Sequence, residues 1–251
     1  MARELGWLRQ FQTPRSAASA PLLIFPHAGA GASAYRVFAK QLSDAFDVVV
    51  FQYPGRQDRA REAPETSLHG IAQGAFEAFR SSSHDQAQPL TVFGHSMGAI
   101  TAFEFVRLAE AAGRQVRLLG VSAAVAPSRV ADLPPHPTED EQLLDHMSAL
   151  SGTGSDVMAS RDVMRMALPV MKADYRAFDG YSCAADIEIG APIQVLGGDD
   201  DPFVAPRDLY AWSAHTRADI EVTMFTGGHF YLNDHIDSIA ELLVPEASTV
   251  A

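Results

Sequence analysis

Residues 90–113 read LTVFGHSMGAITAFEFVRLAEAAG, and the order of residue types in that stretch decides the fold. Leu90–Phe93 is a short apolar run of the kind that forms a buried parallel strand. Ala99–Ala112 carries apolar residues three and four apart, the period of a helix. Between them stands Gly94-His95-Ser96-Met97-Gly98, so strand passes directly into helix across a G-x-S-x-G. Glycines on both sides let the two elements approach closely. The Ser96 hydroxyl is then left at the carboxyl edge of the sheet, beside the positive end of a helix dipole. Ser96 is the candidate nucleophile; the alternative is an ordinary serine in a tight strand–helix turn.

Outward from this turn the same rhythm repeats. Pro21–Pro26, Phe46–Gln52, Leu118–Val125, Ile193–Leu196 and Ile220–Phe225 are further strand candidates. Ala34–Ser43, Leu68–Ser81, Pro206–Thr216 and Leu232–Leu243 have helical periodicity. Alternation of this kind predicts an α/β class with a mainly parallel central sheet and helices on both faces. Residues 133–181 break the rhythm: they hold no strand signal and offer short helical patterns around Ser151-Gly152-Thr153-Gly154-Ser155. Long strandless excursions inside compact domains are usually functional, so a helical lid insertion over a pocket is expected there, hinged at the PPHP of 134–137. Residues 1–251 are expected to form a single domain.

Composition narrows the function classes. Of 251 residues, 47% are hydrophobic, enough for a large core, and no apolar run reaches the roughly 18 residues a membrane-spanning helix needs. The opening MARELGWLRQ lacks the apolar stretch of a secretory signal, so a cytoplasmic location is expected. A formal charge of −12 argues against nucleic acid as a partner. The single cysteine, Cys183, excludes an internal disulfide and a multi-cysteine metal site.

A serine hydroxyl needs a base, and the base needs an orienting carboxylate. With the strand–turn–helix around Ser96 the expectation becomes an α/β-hydrolase fold, in which chain order runs serine, acid, histidine. His229, in FTGGHFYL directly after the strand candidate IEVTMF, is the best placed of nine histidines. His69, His84, His136, His146, His215 and His235 read as solvated residues of loops and helices. The acid must follow IQVLGG, where Asp199, Asp200 and Asp201 compete. Asp201 fits a spacing of three from the last glycine, Gly198, with the small apolar Val204 three further on, and Asp200 is second. Two backbone N–H groups should receive the oxyanion. One is that of Met97, after the nucleophile; the other is that of Ala28, in the small-residue loop PHAGAGAS at 26–33.

These residues, together with FPHAGAGASAYR at 25–36, QYPGRQDR at 52–59, LGGDDDP at 196–202 and LPVMKADYRAFDGY at 168–181, resemble the type II thioesterases of polyketide and nonribosomal peptide synthesis. The resemblance runs nearly the whole chain, with one departure: Gly29-Ala30-Gly31 replaces a pair of consecutive glycines. It implies hydrolysis of acyl thioesters from the phosphopantetheine arm of acyl or peptidyl carrier protein domains. By it, Ser96, Asp201 and His229 form the triad and Ala28 and Met97 supply the oxyanion donors. No cofactor or metal is implied, and a monomer is the simplest state. Met147, Leu150, Met158, Met164, Met166, Leu168 and Met171 would line an adaptable acyl chamber under the lid. The rivals are an esterase or acyltransferase on a free ester, a catalytically silent binding module, and a domain excised from a synthase.

Overall fold

A computed structural model describes residues 6–13, 19–151 and 161–244. Among these residues seven strands form one sheet: β1 (Leu8–Arg9), β2 (Pro21–Phe25), β3 (Asp47–Phe51), β4 (Leu90–His95), β5 (Val116–Ser122), β6 (Ile193–Gly198) and β7 (Ile220–Phe225). Their order across the sheet is β1-β3-β2-β4-β5-β6-β7. All neighbours pair in parallel except β1, which runs antiparallel along β3 with Leu8 opposite Phe51. The strand order reverses about β2, so the carboxyl ends of β2 and β4 open the crevice in which α/β sheets place their sites.

Among the described residues seven α-helices follow in chain order: α1 (Arg36–Leu42), α2 (Leu68–Arg80), α3 (Met97–Ala111), α4 (Asp140–Ser151), α5 (Arg161–Asp179), α6 (Pro206–Leu209) and α7 (Ile236–Leu243). The apolar strands feed two cores because alternate side chains face opposite ways. Leu23, Phe25, Val49, Phe51 and Val92 pack with α2, α3, and residues of α4 and α5 on one face. Leu22, Ile24, Val48, Val50 and Phe93 pack with α1 and α7 on the other. Helix α3 is apolar nearly all round and lies buried between the sheet and α2, as a helix with no polar face must.

The expected α/β architecture is therefore present, with differences at the margins. Strand β1 has no counterpart in the sequence reading, since two residues carry no periodicity. Helical residues 206–216 divide into α6 and a tighter turn over Tyr210–His215. Between β5 and β6 the chain forms α4 and α5, and the turn at 152–155 lies outside the described residues. Among the described residues no helix is long and apolar enough to cross a membrane.

His215 is not a solvated histidine. It is fully buried, with Nδ1 donating to the Ile187 carbonyl at 2.8 Å and Nε2 against Ser128 Oγ at 2.8 Å. His84 and His136 are also engaged, on Asp47 at 2.6 Å and Asp179 at 2.5 Å, and the His136 ring stacks on Tyr175. The partners lie 28 to 87 residues away in sequence, beyond the reach of local periodicity.

Candidate active site

The turn at Ser96 is as tight as its sequence demands. Ser96 adopts φ 55°, ψ −125°, a conformation that costs a side-chain-bearing residue on the order of 1–3 kcal/mol. A Cβ on Gly94 would fall 2.1 Å from the Gly98 carbonyl oxygen, and one on Gly98 would fall 2.1 Å from that of Phe25. Strand β4, helix α3 and the end of β2 therefore meet without room for a methyl group. The Ser96 N–H donates to the Ser122 carbonyl at 2.7 Å, which ties the turn to β5.

The structure brings Ser96, His229 and Asp201 together. His229 Nε2 lies 3.0 Å from Ser96 Oγ, and His229 Nδ1 lies 2.8 Å from Asp201 Oδ2. The Asp201 and His229 side chains are 1% and 5% exposed, so their ion–dipole contact is shielded from water. Asp201 Oδ1 accepts the N–H groups of Phe203 and Val204 at 2.9 and 3.3 Å, which holds the carboxylate in orientation. Its neighbours do other work. Asp199 Oδ1 accepts the Gly227 N–H at 2.8 Å, and Asp200 is exposed. A Cβ on Gly198 would sit 2.5 Å from the carbonyl oxygens of Gly227 and Gly228, so only glycine lets the acid-bearing loop run this close to the histidine loop.

Around these three side chains lies a cluster of buried rings. His95 follows Gly94 and reaches Ser122 Oγ through Nδ1 at 2.9 Å; Ser122 Oγ in turn lies 2.6 Å from the Tyr231 hydroxyl. Burial, then the neighbouring His229 and His27, hold His95 well below the usual imidazole range. His27 is lowered to about 3, chiefly by burial, with His229 and Arg56 adding to it. Both rings are therefore neutral at physiological pH. The Tyr35 hydroxyl accepts the His27 backbone N–H at 3.3 Å and lies 2.8 Å from Nδ1 of the same residue, which fixes the ring's orientation.

Among the described residues neither the Met97 N–H nor the Ala28 N–H donates a hydrogen bond to the protein. Met97 opens α3, where the first N–H groups have no intrahelical acceptor. The Ala28 loop, by contrast, is secured at almost every flanking residue. Tyr53 Oη donates to the Pro26 carbonyl at 3.1 Å, the Gly29 N–H donates to Asp174 Oδ2 at 2.7 Å, and Gln52 Oε1 accepts the Ala32 N–H at 2.7 Å. Arg56 Nη1 donates to the Ala30 carbonyl at 3.2 Å. QYPGRQDR and LPVMKADYRAFDGY, which carry no chemical signal of their own in the sequence, thus supply the side chains that hold this loop.

The expected acyl-chamber residues divide. Met147, Leu168 and Met171 are buried in one core with Ala28 and Met97, and Met171 lies against Gly29. Met166 is 82% exposed, so it does not face that core; helix α5 is amphipathic and this residue falls on its outer side. Met158 and the Met164 side chain lie outside the described residues. Cys183 is half-buried and burial raises its thiol pKa, the opposite of what a nucleophilic cysteine requires.

Residues 20–246 match the thioesterase domain family. A segment of the phenyloxazoline synthase MbtB of Mycobacterium tuberculosis is 42% identical over 239 residues, 94% of this chain, which spans only 16% of the length of that relative. The thioesterase PikA5 of Streptomyces venezuelae is 34% identical, over 91% of this chain and 80% of its own. Among solved structures, the type II thioesterase BorB from the borrelidin biosynthetic cluster superposes with a TM-score of 0.84 at 39% identity, over 94% of this chain and 95% of its own. The match over most of the chain, on a mostly parallel sheet that carries a serine–histidine–aspartate arrangement, leads to one conclusion: the chain belongs to the thioesterase domain family.

Proposed function

We propose that this protein is a type II thioesterase that hydrolyses acyl thioesters carried on the phosphopantetheine arm of acyl or peptidyl carrier domains in polyketide or nonribosomal peptide biosynthesis. The observation that supports it best is the Ser96–His229–Asp201 relay set beside two unengaged N–H groups. Ser96 Oγ attacks the thioester carbonyl while His229 Nε2 takes its proton, and the Asp201 carboxylate stabilises the resulting imidazolium. The Ala28 and Met97 N–H groups receive the oxyanion. The intermediate collapses with loss of the pantetheine sulfur, which leaves as the thiol after taking the proton from His229. Water, deprotonated by the same nitrogen, then attacks the acyl–Ser96 ester, and the proton returns to Ser96 as the free acid departs. A thiolate leaves more readily than an alkoxide, so the demand on His229 as an acid is modest.

Helices α4 and α5 act as the lid in this reading, since their Met147, Leu168 and Met171 are buried in the same core as Ala28 and Met97. One copy supplies all three side chains, so the reaction needs no second copy, and the proposed state is a cytoplasmic monomer. With a net charge of −12, docking of an acidic carrier depends on a local patch rather than on long-range attraction. The test is a hydrolysis panel of acyl groups loaded on one carrier, with Ser96→Ala as control. Carrier-bound thioesters are expected to turn over faster than a soluble ester of the same acyl group; equal or slower turnover removes the proposed substrate.

The 42% identity to a segment of a much longer synthase favours a second reading, in which the unit acts on the carrier of its own synthase rather than editing in trans. Hydrolysis of a thioester on a carrier supplied as a separate protein separates the two: the editing reading requires it to be efficient.

A further inference from the structure

Arg56 and Asp174 come from segments 118 residues apart and meet in the interior, 4% and 1% exposed. The guanidinium meets the carboxylate in a two-pronged contact, Nη1 to Oδ2 and Nη2 to Oδ1, each 2.7 Å. Burying such a pair offsets its Coulombic gain with a large desolvation cost, so stability alone is a weak reason to keep it. What distinguishes this pair is where its remaining bonds go. Asp174 Oδ2 also accepts the Gly29 N–H at 2.7 Å, and Arg56 Nη1 also donates to the Ala30 carbonyl at 3.2 Å. Both residues flank the same short loop, and the peptide N–H immediately before Gly29 is that of Ala28. Gly29 holds φ 74°, in the left-handed region that favours glycine. Asp174 belongs to α5, so the loop's geometry depends on a residue of the helical segment between β5 and β6.

We propose that Arg56 and Asp174 are a positioning pair that sets the Ala28 N–H for the oxyanion only while α5 is seated on the 26–33 loop. Seating of the helical segment and assembly of the oxyanion site are then one event, and an acyl chain that holds α5 away from the loop is not hydrolysed. The inference rests on the reading of Ala28 as an oxyanion donor. It accounts for the first arginine of the QYPGRQDR turn, Arg56, which hydrogen-bonds none of the three residues Ser96, His229 and Asp201 but reaches the loop at Ala30 and, in α5, the carboxylate of Asp174 that holds Gly29.

Two variants test it. Arg56→Met/Asp174→Leu removes both charges at similar volume, a change that buried pairs tolerate in stability, and leaves the Gly29 N–H without its acceptor. Arg56→Lys keeps the charge and loses the fork. Each is measured by thermal melting, by kcat and KM on a p-nitrophenyl acyl ester and on an acyl-pantetheine thioester, and by inhibition with two analogues. An acyl trifluoromethyl ketone forms an oxyanion with the serine; a thioether of the same chain does not. In folded variants kcat should fall by roughly 10–100-fold with KM within about twofold, and ketone inhibition should weaken in parallel while thioether binding holds. Parental kcat and ketone affinity in a folded variant overturn the proposal. So does equal weakening of the thioether, and so does unfolding of both variants, which assigns the pair to stability alone. The aryl ester keeps the readings apart: a parent protein active on it but inert on acyl-pantetheine loses the thioester substrate and leaves the positioning pair fully testable.

Discussion

Asp201→Asn changes one atom of the relay and leaves its shape intact. In the parent, Asp201 Oδ2 accepts the proton on His229 Nδ1 at 2.8 Å, which leaves Nε2 unprotonated and facing Ser96 Oγ at 3.0 Å. An asparagine can keep its oxygen on the Phe203 and Val204 N–H groups, now accepted by Asp201 Oδ1 at 2.9 and 3.3 Å. Its NH2 then faces Nδ1 and donates to it, so the ring proton moves to Nε2, where it blocks acceptance from the serine. The expected loss is the one found for a wrong imidazole tautomer in a serine-protease triad, about 10⁴-fold in kcat, or roughly 5.4 kcal/mol of transition-state stabilisation. Because the oxygen that accepts the two N–H groups survives, stability should change by only about 1 kcal/mol, a shift in melting temperature of roughly 2–4 °C. The assay is steady-state hydrolysis of an acyl-pantetheine thioester alongside a thermal melt. Asp199→Asn and Asp200→Asn serve as controls. Asp199 braces Gly227, two residues before His229, and its loss should cost no more than about tenfold, while exposed Asp200 should be neutral. Asp201→Asn with kcat near the parent's, or Asp200→Asn as damaging as Asp201→Asn, refutes the reasoning.

Three further outcomes follow from the packing and the buried rings. His27, at about 3, and His95, well below the usual range, stay neutral in the fold while the unfolded chain protonates near pH 6.5, so proton uptake by the unfolded state removes stability as pH falls. Each costs about 1.4 kcal/mol per pH unit once well below pH 6.5, and the melting temperature should decline between about pH 6.5 and pH 4.5; His95→Asn should make that decline shallower, and equal slopes in the two proteins contradict it. Gly98→Ala forces a methyl 2.1 Å from the Phe25 oxygen and 2.7 Å from that of Pro26, so it should destabilise by at least about 3 kcal/mol, read as a melting temperature lower by roughly 6–12 °C. Met171→Ala opens space beside Gly29, and the acyl panel should shift toward bulkier chains, measured as a changed ratio of kcat/KM between long and short acyl groups.

How far the sequence is legible depends on the range of the interactions involved. The central parallel strands β2, β3 and β4 are readable because each is a short apolar run buried on both faces, and Ser96 is readable because a tight turn imposes glycines within two residues of it. Asp201 is harder, since three adjacent carboxylates look alike; what separates them is the direction of a loop leaving Gly198, which the spacing to Val204 only partly encodes. Strand β1 escapes because its two residues depend on pairing with β3. The burial of His215 escapes because its partners, Ser128 and Ile187, are brought there by the fold. Arg56 and Asp174 stand at the far end of that scale: both lie in segments that resemble a family, yet their contact spans 118 residues and only the assembled sheet and α5 bring them together.

The central claim is that Ser96 carries the acyl group between a carrier thioester and water. Mixing the protein with an acyl-loaded carrier, quenching in acid on the millisecond scale and weighing the intact chain tests it directly. A transient mass increase equal to the acyl group, mapped to Ser96 and absent from a turnover-dead Ser96→Ala, is the predicted result. Sustained hydrolysis by Ser96→Ala, or parental turnover that survives complete labelling of Ser96 by a fluorophosphonate, contradicts it.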